Sequence, residues 1–129
     1  MDTQSNKALI IDYFNAISGV KKTRPLIERF TSDKSLIEHI EFFDSILPAY
    51  ELFADEMIAE GNKVMVKARV RGRHEGEFNG IPPTFKNVEI MGAIIYEIEN
   101  NKIVNHWMLG DQLSLLEQLG VMNAVAQPA

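Results

Sequence analysis

In VMVKARVRGRHEGEF (64–78) the side chains change character at every second residue, and this constrains the fold more than any other feature of the chain. Val64, Val66, Ala68, Val70, Gly72 and His74 share one side, and Lys67, Arg69, Arg71 and Arg73 share the other. A period of two with one apolar face belongs to a half-buried antiparallel strand. Gly61-Asn62 before it and Asn100-Asn101 beyond it are dipeptides suited to tight turns. They make ELFADEMIA the strand before the first turn, VEIMGAIIYEI (88–98) the strand before the second, and KIVNHWML (102–109) its partner. NGIPPT (79–84) is a rigid turn or loop between them.

Ahead of the strands the period is helical. Ile10, Tyr13, Phe14 and Ile17 recur at i, i+3, i+4 and i+7, with Ser5 or an earlier polar residue as cap and Gly19 as a left-handed stop. TRPLIERF carries Pro25 in a first turn, where its missing N–H is harmless. SLIEHIEFFDSIL sets Leu36, His39, Ile40, Phe43 and Ile46 on one face and ends before Pro48. DQLSLLEQLG closes the pattern as a short helix stopped at Gly120. Helices first and hairpin-linked strands second define an α+β fold, with N-terminal helices on one face of a strongly curved antiparallel sheet. A sheet that curls around helices leaves a cone-shaped barrel with one internal pocket. No linker or repeat divides residues 1–129, so one domain is expected, with a core at about 5–121 and a tail at 122–129.

The totals narrow the function. The formal charge of −5 argues against nucleic acid as a partner, because a phosphate backbone needs a basic face. The cationic stripe at 67–73 reads first as a solvated or subunit-contacting face, and second as a groove for an acidic ligand. With no cysteine there is no thiol nucleophile, thiolate metal site or disulfide. No apolar run approaches the roughly 20 residues that span a bilayer, and MDTQSNK lacks the order of a secretory signal. A soluble cytoplasmic protein without membrane contact is expected.

Asp111 is the residue with the most chemistry. Counted along a strand, Ile103, Asn105, Trp107, Leu109 and Asp111 fall on one face, so Asp111 ends an apolar stripe. It is either the N-cap of the last helix or a carboxyl in a dry pocket, poised for acid–base work; these shift its pKa in opposite directions. His39 is either a core histidine or a proton donor lining the pocket. His74 reads as structural, and His106, alternating away from Trp107, is expected outside the cavity. The three histidines are scattered, no HExxH or HxxxH spacing occurs, and no GxGxxG, P-loop or GxSxG element is present. Neither a metal nor another cofactor is expected.

EHIEFF with P-x-Y, G-x-F-x-G-I-P-P-T (76–84), K-I-x-x-H-W-x-x-x-D (102–111) and Q-L-G (118–120) together resemble the SnoaL-like polyketide cyclases, within the group sharing the nuclear transport factor 2 fold. The resemblance covers about residues 5–121. It implies a cone-shaped α+β barrel, a homodimer formed through the sheet, and intramolecular aldol closure of a polyketide ester without metal or covalent intermediate. The substrate it implies here is a small, largely apolar, carbonyl-containing molecule. By the same resemblance Asp111 is the acid and base and His39 a supporting polar group. Trp107 is a pocket wall, with Tyr13, Phe14, Phe43, His74 and Asn105 as further substrate-binding candidates. A non-catalytic small-molecule binding domain of the same fold is the alternative, and an assembly module using the Lys67, Arg69 and Arg71 face is a third reading. Two departures stand out: Phe85 where the signature carries glycine, and Ala49 where Gly or Asp is frequent. Phe85 is expected to alter its turn, since a bulky residue adopts positive φ less freely.

Overall fold

A computed structural model describes residues 2–121; the expected tail lies outside them. Helix α1 (Thr3–Ile17), the short α2 (Arg24–Glu28) and α3 (Lys34–Ile46) precede strands β1 (Glu51–Glu60), β2 (Lys63–Arg73), β3 (Asn87–Glu99) and β4 (Lys102–Gly110), and α4 (Gln112–Leu119) follows. The strands pair antiparallel in chain order β1-β2-β3-β4, a curved meander with the helices on its inner face. α1, α3 and α4 each start where an aspartate side chain satisfies free N–H groups. Asp2 caps α1 through the Ser5 N–H at 2.7 Å, and Asp33 caps α3 through those of Ser35 and Leu36. Gly120 ends α4 at φ 80°.

The core forms where the inner face meets α1 and α3. Ile10 and Ile17 from α1, Leu36 and Ile40 from α3, and Val64, Val66, Tyr96 and Ile103 from the sheet are all buried. The alternation read in β2 holds only to Arg73, where the strand ends. Beyond it the buried His74 leaves the strand's regular pairing and ties down the loop: its N–H donates to the Lys86 carbonyl, and its own carbonyl accepts from Phe85 N–H.

The strand faces of β4 differ from the simple count. Ile98 pairs with Ile103 but Glu97 pairs with Asn105, so Val104 is an extra residue. Such a bulge exchanges the two faces of everything after it. Ile103 stays buried, after which His106 and Met108 turn inward and Trp107 and Leu109 turn outward, 52% and 63% exposed. The N-terminal segment grips β4 beside the bulge. Ser32 N–H donates to the Ile103 carbonyl, Ile103 N–H to the Phe30 carbonyl, and the Thr31 hydroxyl to the Ile103 carbonyl at 2.8 Å. The start of α3 is thereby stapled to the strand that carries His106.

Phe85 keeps the left-handed backbone that a glycine would hold, at φ 58°, and Ala49 does so at φ 55°. The loop's pairing with His74 holds the backbone there, and Arg73 lies over the exposed phenyl ring at 5.3 Å while its Nε donates to the Phe85 carbonyl.

Candidate functional site

Between α1, α3 and the inner sheet face lies a cavity of about 100 Å³. Leu36, Ile40 and Phe43 of α3 and Leu52, Val70, Ile90, Ile94 and Met108 of the sheet make its walls apolar. Three tyrosines also line it: Tyr13 from α1, Tyr50 just before β1 and Tyr96 from β3. Burial, first of all, pushes each phenol above the ordinary tyrosine range; Tyr96 and Tyr50 raise Tyr13 further, and Asp44 raises Tyr50. All three therefore stay protonated, and Tyr13 and Tyr96 are hydrogen-bonded to each other. The cavity leads to a wider mouth of about 360 Å³, which shares His39, Phe43, Ile90, Met108 and Gly110 with it. Phe42, Phe78, Asp111 and Leu115 complete the mouth.

His39 thus borders both spaces. Its Nδ1 lies 3.0 Å from Nε2 of His106, and Nδ1 of His106 lies 2.6 Å from Oδ2 of Asp33. The side chains of His106 and Asp33 are only 4% and 9% exposed, so this is a buried pair ending in a histidine at the mouth. The three groups form a line, and among the described residues no three metal-ligating side chains converge.

Asp111 is the helix cap that its sequence position allows. Its Oδ1 accepts from Ser114 N–H at 3.0 Å, and the residue is exposed. It also lies on the rim of the mouth, so the structure brings together Asp111 and His39, the two residues read as catalytic. Tyr13 and Phe43, two of the substrate-binding candidates, line the cavity.

The remaining candidates lie elsewhere. Phe14 packs behind the wall, edge-to-face on Tyr13 and Tyr96 at 5.7 and 6.3 Å. Trp107 and Asn105 are on the outer face because of the bulge, and Asn105 donates to Glu97 there. His74 is buried, but its Nδ1 accepts from Thr84 N–H at 3.1 Å, away from both spaces. His106, expected outside the cavity or at a subunit contact, lines neither space, although its side chain is buried against Asp33. The cationic stripe is largely neutralised within the chain: Arg69 pairs with Asp55 and Glu89, and Arg71 with Glu51. Tyr96 was readable from its alternation with Ile94 and Ile98. Asp33 and His106 had no local signal, because their meeting depends on the bulge and the staple.

Comparison with known proteins agrees with this architecture. The family model described as SnoaL-like polyketide cyclase matches residues 14–119, and the chain belongs to that family. Among solved structures, AclR from Streptomyces galilaeus, a candidate hydroxylase, is 22% identical, with a TM-score of 0.79 over 97% of this chain and 92% of that one. TsrD from Streptomyces laurentii is 22% identical, with a TM-score of 0.78 over 93% and 98%. IdmH from Streptomyces antibioticus, a candidate polyketide cyclase, is 19% identical, with a TM-score of 0.75 over 90% and 99%. At such identities the likeness defines the fold, and the fold is shared by cyclase and hydroxylase candidates alike. No curated protein matches the sequence significantly. No helix among the described residues is long and apolar enough to cross a membrane.

Proposed function

We propose that the chain is an acid–base enzyme of the cyclase type, acting on a small, largely apolar, carbonyl-bearing molecule held in the tyrosine-lined cavity. The reaction moves only protons and one carbon–carbon bond. A base takes the proton from a carbon flanked by two carbonyls, that carbon attacks another carbonyl of the same molecule, and the new alkoxide takes up a proton. No atom is lost. The carbon acid is already activated by its carbonyls, so a positioned side chain of ordinary basicity suffices, and the cavity supplies the folded geometry.

The observation that carries this reading is that His39 and Asp111 share the rim of an apolar cavity lined by three tyrosines that stay protonated. A phenol donor can hold a developing enolate oxygen while the rim groups exchange the proton. The test is an aromatic aldehyde bearing a 1,3-dicarbonyl arm, whose active carbon can add to the aldehyde, followed by chromatography for a ring-closed isomer of unchanged mass. The isomer should form with the native chain, and His39→Gln and Asp111→Asn should each slow it by about 100-fold. Unchanged turnover in both variants would remove the reading.

One observation favours a binding domain instead: the Asp111 carboxylate is exposed and already engaged as a helix cap. That reading requires Asp111→Asn to keep ligand affinity and the ligand to be recovered unaltered. Conversion of the ligand would defeat it.

The partner we propose is a second copy of the chain, seated on the outer sheet face. The support is the apolar surface there, with Met65, Met91, Trp107 and Leu109 between 42% and 63% exposed. Monomeric behaviour in light scattering at micromolar concentration would contradict it.

A further inference from the structure

The direction of the hydrogen bonds along Asp33, His106 and His39 follows from the first of them. Asp33 Oδ1 accepts the N–H groups of Ser35 and Leu36, as a carboxylate oxygen does. Its Oδ2 can only accept, so Nδ1 of His106 carries the proton and donates across the 2.6 Å contact. In the neutral ring Nε2 of His106 is then the acceptor, and across 3.0 Å the donor must be Nδ1 of His39. The proton of neutral His39 is thus committed to Nδ1, which leaves a lone pair on Nε2.

We propose that Asp33 and His106 are positioning residues that fix the tautomer of His39, leaving its Nε2 as the base at the cavity mouth; this rests on the acid–base reading above. When Nε2 takes a proton from carbon, the new imidazolium keeps its Nδ1–H bond to His106. The Asp33 charge, two hydrogen bonds away, then stabilises the cation. The same bonds hold the ring still, which an exposed histidine on a helix surface does not otherwise achieve.

Nitrogen-15 NMR of the imidazoles at neutral pH reads the tautomers without any substrate. The expected native spectrum shows both His106 and His39 with a protonated Nδ1 and a bare Nε2. Asp33→Asn keeps an oxygen for the cap but presents an N–H₂ to His106, and should invert both rings to protonated Nε2. Opening of 5-nitrobenzisoxazole, a C–H abstraction that needs only a base, supplies the rate. Asp33→Asn should lower kcat by about 100-fold with little change in KM or melting temperature. His106→Phe, which leaves the Asp33 cap in place, should return His39 to the tautomer mixture of free imidazole.

A protonated Nε2 on native His39, or no inversion in Asp33→Asn, would overturn the positioning role whatever the rates. The expected tautomers with no His39-dependent opening of the probe would sink the acid–base reading instead, and with it the role of Nε2 as base. The two failures are therefore separable.

Discussion

Two histidines turn inward from the sheet side of this molecule, and their partners give them opposite characters. Nδ1 of His74 accepts a backbone N–H from Thr84, so its proton sits on Nε2, which is buried and has no partner among the described residues. Nδ1 of His106 donates to a carboxylate, and its Nε2 meets a further histidine that opens on the cavity mouth. The first ring is a closed end that pins the 74–86 loop. The second is one link in a line from a buried charge to a place where substrate can stand. Burial alone does not distinguish them; the group on Nδ1 does, because it decides which nitrogen remains basic.

The comparison is broken most strongly by exchanging effects on rate and stability. His74→Phe should destabilise by about 1 kcal/mol, since it takes the acceptor from the part-buried Thr84 N–H, while kcat of the folded fraction stays native. Asp33→Asn should do the reverse. Denaturant melts paired with opening of 5-nitrobenzisoxazole would reveal it, and a rate loss in His74→Phe would erase the distinction.

An effect of similar size concerns a buried cation. Lys22 has a fully buried side chain, with Nζ donating to the carbonyls of Val20 and Tyr50 and lying 3.8 Å from the Tyr50 ring centre. Burial, only partly offset by Asp44 at 3.7 Å, lowers its pKa to about 8. Above that pH the unfolded lysine still holds the proton that the folded one has lost, so stability should rise with pH toward the ordinary lysine value. The gain should be on the order of 2–3 kcal/mol. Past about pH 10 the tyrosines oppose it, because their raised pKa values let the unfolded chain ionise first. Urea titrations from neutral to alkaline pH should show a maximum between the two ranges, and Lys22→Met should remove the rising limb. A rising limb that survives in Lys22→Met would refute the assignment.

The smallest effect is at Phe85. Glycine there should stabilise by about 1 kcal/mol, since a bulky residue at φ 58° is strained. A lower melting temperature would mean that the Arg73 contact with the ring outweighs the strain.

The order of elements, the α+β class and the turns at Gly61 and Asn100-Asn101 were legible because period and turn chemistry are local properties. Cavity residues on unbroken patterns, Tyr13 and Phe43, were legible for the same reason. The inner face of β4 was not. One extra residue at Val104 exchanged Trp107 for His106, and nothing in KIVNHWML marks where two residues oppose one. Asp33 could be read only as a cap. Its second oxygen finds a partner 73 positions away, placed there by Thr31 gripping the Ile103 carbonyl. Asp111 showed the opposite problem, since its cap and its place on the rim both turned out to be visible in the fold.

The most direct measurement is a double-mutant cycle on the opening of 5-nitrobenzisoxazole by the native chain, His39→Gln, Asp33→Asn and the pair together. If Asp33 acts only through the ring of His39, the double variant should be no slower than His39→Gln alone. Losses that multiply would show that Asp33 works independently of His39, and the line from buried carboxylate to cavity mouth would have to be abandoned.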